Sequence, residues 1–327
     1  MKLAACSMMV TALLCAAPSE SAAAAAADPA TNYPNRPIRM IAPFVPGGPS
    51  DFLSRLLGAK LTESWGQTVV VDNRGSAGGI VGFELGAKAP PDGYSLTMAT
   101  GSGLTINPSV YIKLPYDPIR DYAPITQITS GASLLVVHPS VPATTVPEFI
   151  ALAKAKPQAL NFATTGTSNL LAGEMLKYMA GINLTAINYK GTGQAVNAIL
   201  SNEVQMFFIN MLIGVPQVKG GKVRALGVSS PKRNPVLPDI PAIAETVPGF
   251  EQVTWHSVLA PSKTPQSIIK KLNAELVKII KSADVEERFK SQGLDAVGST
   301  PDELKALIRH EIDLYAKLVK QIGYEPQ

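Results

Sequence analysis

The chain has 327 residues, of which 46% are hydrophobic and 17% charged. At about 150 residues per domain this length suits two domains, and the apolar share excludes wholesale disorder. The net charge of +4 comes from 29 basic and 25 acidic residues, an excess too small and too scattered for a nucleic-acid binder.

Residues 1–27 read as a leader. Lys2 supplies a minimal positive region, and an uncharged run from Leu3 to Ala17 follows. The small-residue tract Ala22 to Ala27 suits a signal peptidase. The run is short for a membrane span of about 20 residues, and an uncleaved anchor is the other reading. Both cysteines, Cys6 and Cys15, lie inside the leader, so the mature chain is expected to carry no disulfide, thiolate metal site or cysteine nucleophile. Neither cysteine has a good lipid-attachment context. No apolar run precedes Leu3-Ala4-Ala5-Cys6, and Cys15 follows Leu14, where a small residue is needed. A Gram-negative source would place the mature chain in the periplasm.

Strand-like and helix-like patterns then alternate. Ile38 to Phe44 is a short apolar run ending in Pro46-Gly47-Gly48-Pro49-Ser50-Asp51. Phe52, Leu53, Leu56, Leu57 and Leu61 form a helical stripe. Strands are predicted at Thr68 to Val71 and Tyr94 to Ala99, with a glycine-rich turn and short helix between them. This order predicts a parallel sheet with right-handed crossovers. Asn107 to Thr129 contains four prolines and reads as extended loop, with a strand after it at Ser133 to Val137. Thr145-Val146-Pro147-Glu148 is a capping box opening a helix that ends before Pro157.

A second alternating unit follows. Strands are predicted at Leu160 to Ala163, Leu184 to Tyr189, Val204 to Ile209 and Val223 to Val228, and helices at Leu170 to Met179 and Gln194 to Leu200. A proline-rich stretch leads to a return strand at Val253 to Leu259. The tail carries one helix after Thr264-Pro265 and another opened by the capping box Thr300-Pro301-Asp302-Glu303. The fold class is therefore α/β with two lobes. The expected division is 33–130 plus 253–327 for the first lobe and 131–252 for the second. Clefts between lobes are favoured ligand sites.

The chain lacks the usual catalytic signatures. His138, His256 and His310 show no metal-ligand spacing, and no G-x-S-x-G elbow or P-loop is present. The glycines of Arg74 to Gly82 do not match G-x-G-x-x-G. The chain does carry turns rich in Gly, Ser and Thr at the carboxyl ends of predicted strands. They are the 46–51 turn, Thr100-Gly101-Ser102-Gly103, Thr164-Thr165-Gly166-Thr167-Ser168 and Tyr189-Lys190-Gly191-Thr192-Gly193. Ligands of open parallel sheets sit outside strand carboxyl ends. Helix N-termini there offer unsatisfied amides and a positive dipole end to anions. Any one such turn is also what an ordinary βα loop looks like. Four of them on two lobes favour anion capture.

Ordered stretches across the mature chain resemble one family. They include YPNRPIRMIAPFVPGGPSD (33–51), GQTVVVDNRGSAGG (66–79), AKAPPDGYSL (87–96), LPYDPIRDYAPIT (114–126), GGKVRALGVSS (220–230), LPDIPAIAET (237–246) and GSTPDEL (298–304). The chain resembles the solute receptors of tripartite tricarboxylate transporters, the Bug or TctC proteins. The resemblance implies a two-lobed periplasmic binding-protein fold of type II, closing like a flytrap. It implies a small carboxylate ligand, delivery to a two-subunit membrane permease, no cofactor and no metal, and a monomer.

By position, the resemblance gives the proximal carboxylate to Gly47, Gly48 and Ser50, within a turn from Phe44 through Pro46 to Asp51, with Phe44 as a wall. Thr164, Gly166, Thr167 and Ser168, with Thr165, would donate from the second lobe. Thr100, Gly101, Ser102, Tyr189, Lys190, Gly191 and Asn210 complete the expected site. Two departures stand out. Leu170 falls where the family commonly has a histidine, and Asn210 ends a strand on which many members carry aspartate. A less polar second-lobe wall favours an apolar-bodied mono- or dicarboxylate over an amino acid. Other roles remain open: a ligand sensor feeding a two-component histidine kinase, or a cleft enzyme. Individual residues also carry plainer readings. Asp51 suits an N-cap of the first helix, Arg74 a partner for Asp72, Trp255 either core or pocket wall, and Lys190 a solvated surface lysine.

Overall fold

The computed structural model describes residues 28–327, so the leader expected at 1–27, with both cysteines, lies outside the described residues. The first unit opens with β1 (Ile38–Ala42), α1 (Pro49–Trp65), β2 (Val69–Asn73), α2 (Ile80–Ala87) and β3 (Ser95–Thr100). β1 pairs in parallel with β2 on one side and β3 on the other. Two short helices follow, α3 (Gly101–Thr105) and α4 (Asn107–Val110). α1 forms where the sequence placed a helix. Pro49 sits in its first turn, where a missing N–H costs nothing. Leu53, Leu57 and Leu61 recur every four residues and are fully buried. Gly66 stops the helix in the left-handed conformation (φ 67°), its N–H returning to Thr62 O.

The largest departure from expectation is β4 (Tyr122–Val137), a single 16-residue strand. Its first half lies in the segment that reads as extended loop. Two prolines mislead there for local reasons. Pro108 occupies the first turn of α4. Pro124 sits where the β4 pairing shifts register, one of the few places a strand tolerates proline.

The second unit holds α5 (Val146–Ala155), β5 (Asn161–Thr164), α6 (Thr167–Ala180), β6 (Thr185–Asn188), α7 (Thr192–Leu200), β7 (Met206–Asn210), α8 (Met211–Lys219) and β8 (Arg224–Val228). α8, with Pro216 inside it, has no counterpart in the sequence reading. The chain returns along β9 (Val253–Pro261) and ends with α9 (Gln266–Ile280), α10 (Ala283–Ser291), β10 (Leu294–Ala296) and α11 (Pro301–Gln321). α10 and β10 also lie outside the predicted elements.

The sheet is mixed rather than purely parallel. Its order is β2-β1-β3-β9-β4-β7-β5-β6, with β8 and β10 also pairing β4. β4 changes partners part-way. Residues from Tyr122 to Ala132 pair with β9, Ser133 to Val137 with β7, and Leu134 to Val137 with β8. β9 and β4 run antiparallel to their neighbours because the chain doubles back between the two halves.

α11 braces both halves. Leu304 and Ile308 pack with Phe83 and Trp255, whereas Tyr315 and Val319 join the cluster of Leu135, Phe162 and Phe208. Each such buried side chain contributes about 1.5–3 kcal/mol. The helix starts from a complete capping box. Thr300 Oγ1 accepts from Glu303 N (3.2 Å), and Glu303 accepts from Thr300 N (2.8 Å). The expected box at α5 closes differently. Thr145 caps Glu148 N, but the Glu148 carboxylate takes the Thr144 N–H (2.7 Å) one residue earlier. No helix among the described residues is long and apolar enough to cross a membrane.

Three chain segments, the middle of β4, the residue after β8 and the stretch entering β9, meet at Ser229. Its N–H donates to Ser133 O (2.9 Å), its carbonyl accepts Gln252 N (2.9 Å), and its hydroxyl accepts Ser133 N (2.8 Å) and donates to Gln252 O (2.5 Å). Ser229 is fully buried. Ser229→Ala strands the Ser133 N–H and the Gln252 carbonyl away from water, a loss of about 1–3 kcal/mol. Urea unfolding should show that loss as a lower midpoint at unchanged slope. An unchanged midpoint would mean that these segments are not tied through this hydroxyl.

Candidate functional site

The carboxyl ends of β1, β3, β5, β6 and β7 open on one cavity of about 100 Å3. Its walls include Phe44, Gly48, Ser50, Thr100, Gly101 and Ser102 from the first half of the chain. Thr165, Gly166, Ser168, Gly191, Thr192 and Asn210 face them from the second.

Three of the helices that begin at this cavity have a glycine N-cap with no side-chain cap bond, Gly48 for α1, Gly166 for α6 and Gly191 for α7, whereas α3 and α8 start there under the side-chain caps of Thr100 and Asn210. The first N–H groups of a helix have no partner within it. Threonine side chains cover such ends at α5 and α11, while α2, α9 and α10 also start without a side-chain cap bond. At the cavity, glycine leaves the amides uncovered, and three positive dipole ends converge. The hydroxyls of Ser50, Ser168 and Thr192 stand in the same first turns. Among the described residues no lysine or arginine lines the cavity, which offers an anion amides and hydroxyls instead.

Seven of the sequence-predicted positions lie behind the wall rather than on it. Pro46 and Gly47 are exposed at the tip of the 43–48 turn, and Gly47 adopts φ 89°, which favours glycine. Asp51 is not the N-cap of α1. It sits within the first turn, buried, where it accepts the Gly47 N–H (3.1 Å) and pairs with Arg55 (2.9 Å). Burial pushes its carboxyl up, but the Arg55 and Gly47 bonds outweigh this and hold it below the usual carboxylate range. Its job is to fix the turn. Thr167 turns its hydroxyl to Asn107 Oδ1 (2.7 Å), and the buried Asn107 amide reaches Gly78 O and the Tyr116 hydroxyl. Thr164 faces the Asn188 side chain (3.3 Å), Tyr189 donates to Glu203 (2.7 Å), and Lys190 is exposed. Arg74 pairs with Asp72 at 2.9 Å. Asn210 lines the cavity, with its amide already committed as the cap of α8 and as a donor to Thr254 Oγ1 (2.9 Å). Leu170 packs against the core of the second unit.

The sequence reading did not single out much of the remaining wall: Val45, Ile106, Ser133, Phe207, Gln252, Thr254, Glu311 and Tyr315. Gln252, 2% exposed, donates to Ser168 Oγ (2.7 Å) and so orients the first turn of α6. Trp255 is both core and wall. It is 3% exposed, and its indole N–H donates to the Glu311 carboxylate at 2.9–3.0 Å. His256 is buried, and burial alone pushes its pKa down to about 4, so it stands neutral. The signal available for this part of the wall was the position of β9 and β4 as strands that run between the two halves.

The two halves touch across the cavity mouth. Gly191 leaves the space into which Val45 fits, and a Cβ at Gly48 would come within 3.3 Å of Thr192 Oγ1. Phe44 packs over Gly166, whose Cβ would lie 3.6 Å from its ring. The turn after β1 is therefore closed onto the N-termini of α6 and α7.

A family model described as tripartite tricarboxylate transporter family receptor (TctC) matches residues 53–324. The chain belongs to this receptor family. A UPF0065 protein encoded in the tcbD–tcbE intergenic region of Pseudomonas sp. strain P51 is 38% identical over 291 residues, covering 88% of this receptor and 86% of that protein. An R. palustris protein solved with adipate superposes with a TM-score of 0.88 at 32% identity, covering 90% of this receptor and 100% of that chain. MatC of Rhodopseudomonas palustris with bound malate gives 0.84 at 28% identity, covering 88% and 100%. The receptor thus has the two-lobed fold of periplasmic binding proteins. It is a solute-binding protein and not an enzyme.

The contact between the turn after β1 and the start of α7 depends on the absence of a side chain at residue 191. Gly191→Ala drives a methyl into Val45 and should weigh against the closed arrangement by about 1–3 kcal/mol. Gly193→Ala, whose Cβ meets nothing within 4 Å, is the control. Small-angle scattering should show a larger radius for the first variant and the wild-type radius for the second. Equal radii for all three proteins would remove the Val45 contact from the account.

Proposed function

We propose that the receptor captures a small carboxylate between its lobes in the periplasm and hands it to a two-subunit membrane permease. The lobes are residues 33–130 with 253–327 and residues 131–252, and they hinge where β4 changes partners. The observation that carries this reading is the convergence of three glycine-capped helix N-termini on a cavity without a cationic side chain. Such a site binds a carboxylate through uncharged donors. The adipate and malate of the two related structures have that chemistry. The leader read at 1–27 supports export, and a cleaved, cysteine-free monomer needs no disulfide to fold.

The body of the ligand meets Phe44, Val45, Ile106, Phe207, Trp255 and Tyr315. These walls suit methylene or aromatic carbon better than further polar groups. The cavity offers one acidic side chain, Glu311, and no aspartate at the end of β7 to hold a ligand ammonium. The ligand of choice is therefore an apolar-bodied mono- or dicarboxylate.

A thermal-shift and calorimetry panel tests this reading with adipate, benzoate, citrate, malate and aspartate as probes. A ligand at a hundredfold excess over its Kd stabilises by about 2.7 kcal/mol. Adipate or benzoate should raise the melting temperature by several degrees and bind one to one. Stabilisation by citrate or aspartate alone would overturn the ligand class. Recovery of a histidine kinase instead of a permease from solubilised membranes would overturn the delivery role.

A further inference from the structure

Among the described residues Glu311 is the one acid on a wall that otherwise consists of amides, hydroxyls, apolar side chains and the His256 imidazole. It reaches the cavity from α11, beside Trp255 of β9 and Thr105 of α3. The Trp255 indole N–H donates to both carboxyl oxygens, at 3.0 and 2.9 Å. Thr105, fully buried, places its hydroxyl 2.9 Å from Gly101 O and 3.1 Å from Glu311 Oε2. That hydroxyl has one hydrogen and two acceptors. A proton on Glu311 resolves the conflict: Glu311 donates to Thr105, and Thr105 donates to Gly101 O. Every polar atom in the group then has a partner.

The surroundings offer an ionised Glu311 little help. His310 and Tyr315 are its titratable neighbours on α11, and His256 comes from β9, while α3 brings none. His310 stands at the solvent side. His256 is neutral, and burial keeps the Tyr315 phenol protonated, with the Glu311 and Glu251 carboxylates adding to the effect. Burial also pushes the Glu311 carboxyl above its usual range, against the opposing bonds from Trp255 and Thr105 and the charge of His310. A carboxylate ligand in the same cavity adds a like charge with no cation on the wall to offset it, and a like charge disfavours ionisation further.

We propose that Glu311 takes up a proton as the anion binds, so that the receptor captures one carboxylate ligand together with one proton. The inference rests on the proposed carboxylate reading and deepens it. The bound proton also sets the ligand class at this end of the cavity. The protonated carboxyl tolerates methylene, aromatic or hydroxyl groups, whereas a second ionised ligand carboxylate beside Glu311 is admitted only with that proton in place.

The test compares wild type with Glu311→Gln, which keeps an acceptor for Trp255 and a donor for Thr105. Adipate is titrated calorimetrically from about pH 6.5 upward, above the ordinary carboxylate range, in two buffers of different ionisation heat. Wild-type affinity should fall by up to about tenfold per pH unit above the free-state pKa of Glu311. Net proton uptake should approach one. The glutamine variant should show neither the slope nor the uptake and should retain the low-pH affinity. Wild-type binding without proton uptake, or equal uptake in the variant, would overturn the proposal.

A second readout needs no ligand. The Trp255 indole N–H resonance should titrate with pH in the free wild type and stay flat in the variant. If adipate binds neither protein at any pH, the ligand reading fails, and this resonance still decides whether Glu311 takes up its proton above the ordinary carboxylate range. A wild-type resonance that is flat through neutral pH would contradict it.

Discussion

Uncapped helix N-termini are the constraint around which this receptor is arranged. Each helix must satisfy its first amides somehow. At α5 and α11 a threonine does so internally. At α1, α6 and α7 a glycine stands in that place, and all three ends open on the same cavity. The fold gives up local capping, worth about 1 kcal/mol per helix, and in return keeps donors pointed at one spot. Two parallel strand triplets, one on each side of the β9 and β4 pair, deliver those helices from opposite directions.

The same glycines let the two sides approach. Val45 fits against Gly191 and Phe44 against Gly166, contacts that larger side chains would prevent. Behind them, Asp51 pins Gly47, Asn107 links Thr167 to the Tyr116 hydroxyl, and Gln252 orients Ser168. Several residues that looked like ligand contacts therefore hold the cavity wall in place. The distinction matters chemically. A polar side chain that already has a buried partner cannot also turn to a ligand without leaving that partner unpaired.

Much of the site was legible because its signals are local. A strand, a Gly/Ser/Thr turn and an amphipathic stripe occur together within about a dozen residues, so Gly48, Gly166 and Gly191 can be picked from letters alone. What the letters hid depends on distance or on proline. Pro124 concealed the first half of β4, which accommodates it at a register shift. Glu311 lies on a helix whose charged residues otherwise read as a solvated face, and its partner Trp255 is 56 residues away in sequence. Only the packing of α11 across both halves brings the two together. The return strand was foreseen, with Trp255 open as core or wall, but not that Val253 and Thr254 would line the cavity beside it.

The central claim is that backbone amides at three helix starts, and no cationic side chain, hold the anion. Adipate titration into 15N-labelled receptor, followed by amide NMR, tests it most directly. The account predicts that the amides of Ser50, Ser168 and Thr192 shift together and saturate at one equivalent, with lysine and arginine side-chain resonances unmoved. Saturable shifts centred on lysine or arginine side chains, with those three amides unchanged, would contradict it.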